Sequence, residues 1–401
     1  MNNPTPQADD VVILAGARTP QGKLLGALSS LSAVDLGAHA VRHAVERAGI
    51  APGDVDHVIL GQVLQAGAGQ NPARQTALRA GLDPRVVAET VNKVCLSGLD
   101  AVIHAARLLR LGDADVVVAG GQESMTNAAH VVSGARQGRS YGAMQLADSA
   151  EIDGLTDAAD GVSMGVLTEE PLAELGISRE DQDRVAADSH QRAAAAQQAG
   201  IFDAEIAPVS IPQRKGDPVV VSTDEGVRAT TTTETLAGLR PAFVRDGGSI
   251  TAGNASPISD GAAAVVLARR SWAEERDLPY LAVVGAAGQT GGPDNSLHSQ
   301  PSDSLGAALR RAGWEARDLD FIEINEAFGA VAVQSLRDLD YPAEQCNIHG
   351  GAIALGHPIG ASGARLVLTA AQELNRRGSG RAGVSLCGGG GQGDALLLYR
   401  N

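Results

Sequence analysis

Aromatic side chains, lysine and cysteine are all scarce in this chain of 401 residues. Phe, Trp and Tyr make up 2% of it, so Ala, Val, Leu and Ile must fill the core. Lysine stands only at Lys23, Lys93 and Lys215, and the remaining basic residues are arginines. Acidic residues outnumber basic ones by 47 to 32, giving a formal net charge of −15. That balance disfavours a nucleic-acid binder, which carries a basic surface. An anionic ligand has to meet local arginines, backbone N–H groups or helix N-termini. The three cysteines are widely spaced and include no C-x-x-C pair, which argues against a disulfide framework and a zinc cluster. No apolar run reaches the roughly 18 residues of a transmembrane helix. The polar start MNNPTPQADD precedes a short apolar stretch, Val11 to Ala17, that lacks a basic flank. It reads as a first core strand and not as a signal peptide. Together these features point to a cytoplasmic protein with one or more reactive thiols.

Hydrophobic residues make up 44% of the chain, ample for a large core, and the length suggests two or three domains. Short apolar runs at 11–17, 57–61, 115–121, 262–268, 281–287, 321–325 and 383–389 alternate with longer helical stretches. Such alternation implies βαβ units, an α/β fold and mainly parallel sheets. The chain also repeats itself. Arg47-Ala-Gly-Ile-Ala-Pro-Gly-Asp-Val-Asp56 matches Arg311-Ala-Gly-Trp-Glu-Ala-Arg-Asp-Leu-Asp320, and each precedes an apolar strand. Ser97-Gly98 and Ser362-Gly363 each open a helical run that leads to a glycine-ended strand. Two landmarks in the same order at a nearly constant offset indicate duplication, hence two similar halves packed together. The segment from 122 to 250 breaks the pattern. Its Ala/Gln-rich run, Ser178 to Gly200, opens with a capping-box-like Ser178-Arg-Glu-Asp181. It reads as an inserted loop domain bordering a ligand site. The expected division is residues 1–121 for the first half, 122–250 for the insertion, 251–280 for a return to the first half and 281–401 for the second.

Three positions carry candidate chemistry. Cys95 lies in Asn92-Lys-Val-Cys-Leu-Ser-Gly98, directly before the amphipathic run DAVIHAARLLR. A thiol at a strand-to-helix turn sits near the positive end of a helix dipole, which lowers its pKa and favours the thiolate. His357 lies in the glycine-rich stretch Gly350 to Gly363, followed by Pro358. Held there, it can act as a base toward a neighbouring thiol. Cys387 opens Cys387-Gly-Gly-Gly-Gly-Gln-Gly393 after an apolar strand, where backbone N–H groups can bind an anion or form an oxyanion hole. Cys346 has no such setting and reads as structural.

Four blocks, Asn92 to Gly98, Asn325-Glu-Ala-Phe328, Gly350 to Gly363 and Cys387 to Gly393, together resemble the thiolase family. So do Ala17-Arg-Thr-Pro20, Gly61-Gln-Val-Leu64, Ala119-Gly-Gly-Gln-Glu-Ser124 and Thr251-Ala-Gly-Asn-Ala-Ser256, and the likeness runs from about residue 11 to the end. It implies a thiolase fold of two duplicated halves with an inserted loop domain. It also implies a reversible Claisen condensation of two acetyl-CoA to acetoacetyl-CoA and CoA through an acyl-cysteine. In that pattern Cys95 is the nucleophile, His357 activates it, and Cys387 moves the α-proton. Asn325 holds a water that completes one oxyanion hole with His357. The backbone N–H groups of Cys95 and Gly389 form the other.

The same likeness places Leu155, Arg228 and Ser256 near the adenine, phosphate and pantetheine parts of coenzyme A, with Met164, Phe243 and Phe328 lining the pocket. It implies no cofactor, coenzyme A being substrate and product, no metal, acyl-CoA partners with no nucleic acid or membrane, and a homo-oligomer, dimer or tetramer. Ser163, Pro257, Ser259 and His349 depart from the acetoacetyl-CoA-forming pattern, and the first three leave chain length open. The alternatives are a degradative 3-ketoacyl-CoA thiolase of broader chain length and a non-catalytic thiolase-like acyl-CoA- or lipid-binding protein.

Overall fold

Each apolar run becomes a strand of one large sheet in the computed structural model, which describes residues 3–401. Among these residues the sheet has nine strands of four or more residues. In the first half they are β1 (Val11–Arg18), β2 (His57–Gly61), β3 (Val87–Val91), β4 (Val116–Ser124) and β5 (Ser259–Arg269). In the second they are β6 (Ala282–Gly291), β7 (Phe321–Ile324), β8 (Gly380–Gly388) and β9 (Gln392–Arg400). Their order is β7-β8-β9-β6-β1-β5-β4-β2-β3. β3 and β9 were not among the runs picked out from the sequence. β3 (Val-Ala-Glu-Thr-Val) is a short, partly exposed strand at the sheet's edge, and β9 follows the glycine turn without a helix between.

The duplication is visible in this order. From the rim inward the first half reads β3-β2-β4-β5-β1. The second reads β7-β8-β9-β6, with a bridge from Ile322 to Cys346 in the place of β3. β2 pairs in parallel with β3 and β4, and β7 in parallel with β8 and the Cys346 bridge. The next two pairings inward are antiparallel in both halves. The halves meet where β1 and β6 pair antiparallel, Val12 to Val283 and Ile13 to Ala282. Parallel pairing thus follows the helical crossovers near the rims, as strand–helix alternation requires. Elsewhere, at β1–β5, β4–β5, β6–β9, β8–β9 and the β1–β6 seam, the pairing is antiparallel, against the expectation of mainly parallel sheets. β8 turns into β9 over three residues, a hairpin that must be antiparallel. At the equivalent place between β4 and β5 the chain inserts residues 125–258.

Six longer helices complete the halves and the insertion: α1 (Ala33–Ala48), α2 (Ser97–Leu111), α3 (Arg179–Gln198), α4 (Gln300–Ala312), α5 (Gly329–Leu339) and α6 (Ser362–Arg377). Ala, Leu, Val and Ile of α2 and α6 form one core with Ile13, Ile59, Val117, Val265, Val284, Val384 and Leu396 from both halves. α2 and α6 are the two helices opened by the repeated Ser-Gly pair. Their N-termini abut: a Cβ on Gly363 would lie 2.4 Å from the Leu99 nitrogen, and one on Gly98 would lie 2.9 Å from the Ala364 nitrogen. Only glycine allows this approach.

α3 begins at the expected capping box, in which Ser178 Oγ accepts from Asp181 N–H at 3.1 Å and Asp181 accepts from Ser178 N–H at 3.2 Å. The insertion is tied to β1 by Arg18, fully buried, whose guanidinium donates to Glu205 at 2.8 Å and to Asp224 at 2.6 and 2.9 Å. Both carboxylates lie in the insertion. Among the described residues no helix is long and apolar enough to cross a membrane. Removing one partner of a buried ion pair leaves uncompensated charge, at a cost of about 3–5 kcal/mol. Arg18→Met is expected to lose stability on that scale in urea denaturation, with part of the loss recovered in Arg18→Met/Glu205→Gln/Asp224→Asn. A single variant as stable as the wild type would show that the arginine is not what holds the insertion down.

Candidate active site

Cys95 sits at the end of a strained turn between β3 and α2. Val94, β-branched, has φ of +51°, a conformation that costs energy and persists only where its surroundings impose it. The turn is held from both sides. Val94 N–H donates to Asn92 Oδ1 at 3.1 Å, Lys93 N–H donates to Ser97 Oγ at 2.8 Å, and Ser97 Oγ donates to Val94 O at 2.6 Å. Lys93 Nζ reaches Asp394 at 2.7 Å.

His357 is brought to Cys95 by the junction of α2 and α6, because each residue lies just upstream of one helix. His357 Nδ1 is 2.6 Å from Ser362 Oγ, and Ser362 Oγ donates to Pro358 O at 3.0 Å. The serine's hydrogen is therefore spent, and it accepts from Nδ1–H. That leaves Nε2 as the free lone pair. Asn325 Nδ2 approaches this Nε2 at 3.5 Å, while Asn325 Oδ1 is buried with no partner among the described residues. Burial, and then the charge of Arg365, drives His357 down to about 3, so the imidazole is neutral at physiological pH.

The thiols are neutral too. Burial pushes Cys95 up to about 12, over the lowering effect of the Gly389 and Cys95 backbone N–H groups. This runs against the expectation that the helix start would favour a resting thiolate: burial outweighs the backbone N–H groups. Cys387 is raised as well, by burial and then by Cys95. One thiolate therefore opposes the other. Cys346, also raised by burial, lies away from them at the Ile322 bridge.

The four glycines after Cys387 do different things. Gly390 and Gly391 carry φ of +81° and +64° and make the turn of the β8–β9 hairpin. Gly388 leaves room for Leu96, whose Cγ would lie 2.6 Å from an added Cβ. Gly389 keeps its N–H toward the Cys95 sulfur.

These groups converge on a cavity of about 310 Å³ lined by Cys95, His357, Cys387 and Gly389. Leu155, Met164, Phe243, Ser256 and Phe328 line it as well. Phe243 and Phe328 meet edge to face with centroids 6.1 Å apart, and Gly165 makes room for Phe243. Asn325 stands behind His357. Arg228 is exposed and outside the lining; its backbone N–H donates to His190 Nδ1 at 3.2 Å. Ser163 lines the cavity but also caps the short helix Met164–Glu169, accepting from Val166 N–H at 3.3 Å. Ser259 accepts the His357 backbone N–H at 3.1 Å and so holds the histidine, with Ile258 facing the cavity.

Sequence reasoning missed the buried carboxylates that hold these loops. Glu123 accepts from the N–H groups of Val63, Leu64 and Gly360 at 2.9, 3.1 and 3.0 Å. Burial lifts it to about 7. Glu326 accepts from Ser189 Oγ at 2.7 Å, Asn347 Nδ2 at 2.8 Å and Ile353 N–H at 3.1 Å. Both stood inside the quoted motifs. Their partners are distant in sequence, so no local spacing exposes the role. Among the described residues no group of three or more His, Cys, Asp or Glu side chains is gathered as for a metal ion.

Comparison with known proteins agrees with this geometry. Residues 11–271 match the model of the thiolase N-terminal domain and residues 278–400 that of the thiolase C-terminal domain. The chain is 54% identical over 389 residues to a probable acetyl-CoA acetyltransferase of Mycolicibacterium smegmatis, covering 97% of this chain and 100% of that protein. It is 53% identical over 387 residues to a probable acetyl-CoA acetyltransferase of Mycobacterium leprae, covering 96% and 98%. It is 48% identical over 391 residues to an acetyl-CoA acetyltransferase of Cupriavidus necator, covering 98% and 99%. Two cysteines and a neutral histidine around one apolar cavity, in a duplicated α/β fold matched nearly end to end, leave one conclusion: the chain belongs to the thiolase family.

Proposed function

We propose that this protein is an acetyl-CoA C-acetyltransferase that reversibly condenses two acetyl-CoA to acetoacetyl-CoA and CoA. The observation that carries the reading is the joint lining of one cavity by Cys95, His357, Cys387 and Gly389. It favours catalysis over a lipid-binding role, because a binding pocket has no use for two thiols and a base.

The neutral resting state gives a proton-balanced sequence. Cys95 passes its proton to His357 Nε2 and attacks the thioester carbonyl. The new Nε2–H and a water on Asn325 Oδ1 hold the developing oxyanion. CoA leaves with the proton held on His357, and Cys387 then passes its own proton to the freed imidazole, becoming the thiolate beside the imidazolium. Cys387 takes an α-proton from the second acetyl-CoA, and the enolate attacks the acyl group on Cys95. The Gly389 and Cys95 N–H groups stabilise the oxygen of the acyl-enzyme. Cys95 departs and recovers its proton from His357. Chemistry of this kind uses no cofactor. Ser256 would hold the pantetheine of coenzyme A and Arg228, at the surface, its phosphate; Leu155, expected near the adenine, lines the cavity with Cys95. We read residues 1–121 with 251–280, 122–250, and 281–401 as first half, insertion and second half of a cytoplasmic homo-oligomer, dimer or tetramer.

Three outcomes test this. Iodoacetamide should inactivate by labelling Cys95 first, since Cys387 and Cys346 are 1% and 5% exposed, and acetyl-CoA should protect. Because the thiol is held up at about 12, the labelling rate should keep rising through pH 9; a plateau below pH 8 would mean a resting thiolate. Label chiefly on Cys346 would remove the nucleophile assignment. Cys387→Ser should still become acylated on Cys95 yet condense at least about a hundredfold more slowly; condensation at the wild-type rate refutes the proton-transfer role. Met164, Phe243 and Phe328 line the cavity, and overfilling it costs roughly 1–3 kcal/mol, about ten- to a hundredfold in rate. Acetoacetyl-CoA should therefore be cleaved with higher kcat/KM than an eight-carbon 3-ketoacyl-CoA. The reverse order would favour the degradative alternative.

A further inference from the structure

The nucleophile turn and the β8–β9 hairpin touch at several places, three of which bear on the argument. Two lie beside the sulfur: Gly389 N–H points to Cys95, and Leu96 packs on Gly388. The third is an ion pair with no part in the chemistry above. Lys93 Nζ donates to both carboxylate oxygens of Asp394, at 2.7 and 2.9 Å. Asp394 is fully buried and also accepts from Gln289 Nε2 at 3.1 Å, which donates to Asp100 at 2.8 Å. Asp100 Oδ1 lies 3.6 Å from the same ammonium. A compact ammonium can face both carboxylates, and this chain places one of its three lysines here.

The pair closes a ring around the reacting sulfurs. Lys93 is two residues before Cys95. Asp394 follows Gly393, which pairs across the hairpin with Cys387. The path therefore runs Cys95, Val94, Lys93, across the ion pair to Asp394 and Gly393, and over the ladder to Cys387. A buried ion pair is a poor source of stability beside apolar packing; the use it is best suited to is fixing geometry. The pair adds a third tie to the two contacts beside the sulfur.

We propose that Lys93 and Asp394 are positioning residues that set the gap between Cys95 and Cys387 for the proton-transfer half of the reaction, resting on the roles assigned above to the two cysteines. Acylation needs Cys95 and His357, which are joined through α2 and α6. Condensation needs Cys387 as well. Loss of the pair should therefore separate the half-reactions.

The test uses Lys93→Met/Asp394→Asn, which removes both charges together. Acylation is followed as exchange of labelled CoA into acetyl-CoA, and condensation as acetoacetyl-CoA formation. Exchange should stay within about threefold of wild type. The kcat for condensation should fall on the order of ten- to a hundredfold, with KM for acetyl-CoA little changed, as for a misplacement near 1 Å. Lys93→Arg, which keeps the charge pair, should recover part of the loss. Equal loss of exchange and condensation, or no loss of either, overturns the proposal. Should the double variant not fold, Lys93→Gln at the more exposed end is judged by the same outcomes. Cys387→Ser run alongside separates the two levels. Condensation at the wild-type rate there overturns the cysteine assignment, whereas its loss there beside an unaffected pair variant overturns only the role of Lys93 and Asp394.

Discussion

The contact between the N-termini of α2 and α6 governs the rest of the molecule. Two helices from the two halves start against one another because Gly98 and Gly363 carry no side chain. Around that contact the strands of both halves wrap a common apolar core. The residues just upstream of each helix, Cys95 and His357, are thereby delivered to one spot. A duplicated fold has a natural meeting point at its pseudo-twofold, and here that point carries the candidate chemistry. The packing tolerates little change: a Cβ on Gly121 would fall 2.0 Å from the Gly360 carbonyl oxygen.

Burial sets the electrostatics of the site. Burial in the pocket keeps both thiols protonated and the imidazole neutral, at Cys95 against two backbone N–H groups. Charge is created only when a thioester arrives, and it is created as a thiolate–imidazolium pair within a low-dielectric cavity, where such a pair is strongly favoured over separated ions. The surrounding carboxylates share one theme. Glu123 and Glu326 hold the loops through backbone, amide and hydroxyl donors, and among the described residues no cation is bonded to either. The loops are thus fixed by groups that stay out of the chemistry.

The insertion occupies the place where the second half has a three-residue turn. That substitution breaks the symmetry of the duplication and gives one half a lid of its own. From it come Leu155, Met164 and Phe243, while Phe328 and Leu297 come from the second half. The cavity is therefore built between a duplicated frame and a unique segment, which separates the parts that perform the reaction from those that size the substrate. Ser163 and Ser259, two of the departures from the short-chain pattern, act here as a helix cap and as the acceptor for the His357 backbone.

Much of this was legible in the chain itself. Alternating apolar runs specified an α/β fold, the repeated R-A-G and Ser-Gly landmarks specified two halves, and Ser178 to Asp181 specified where α3 begins. The site residues were legible because motif blocks carry their own local chemistry: a cysteine before a helix, a histidine among glycines, a cysteine before a glycine turn. Other features depend on partners far away in sequence. The sense of the inner pairings depends on which strands, many of them far apart in the chain, become neighbours. The ion pair of Lys93 with Asp394 joins residues 301 positions apart. Arg228, placed by likeness with the coenzyme, lies outside the cavity lining. Above all, the protonation of Cys95 could not be read from its position before a helix. Local sequence fixes the dipole, but desolvation depends on every side chain that closes the pocket, and only the tertiary structure brings those together.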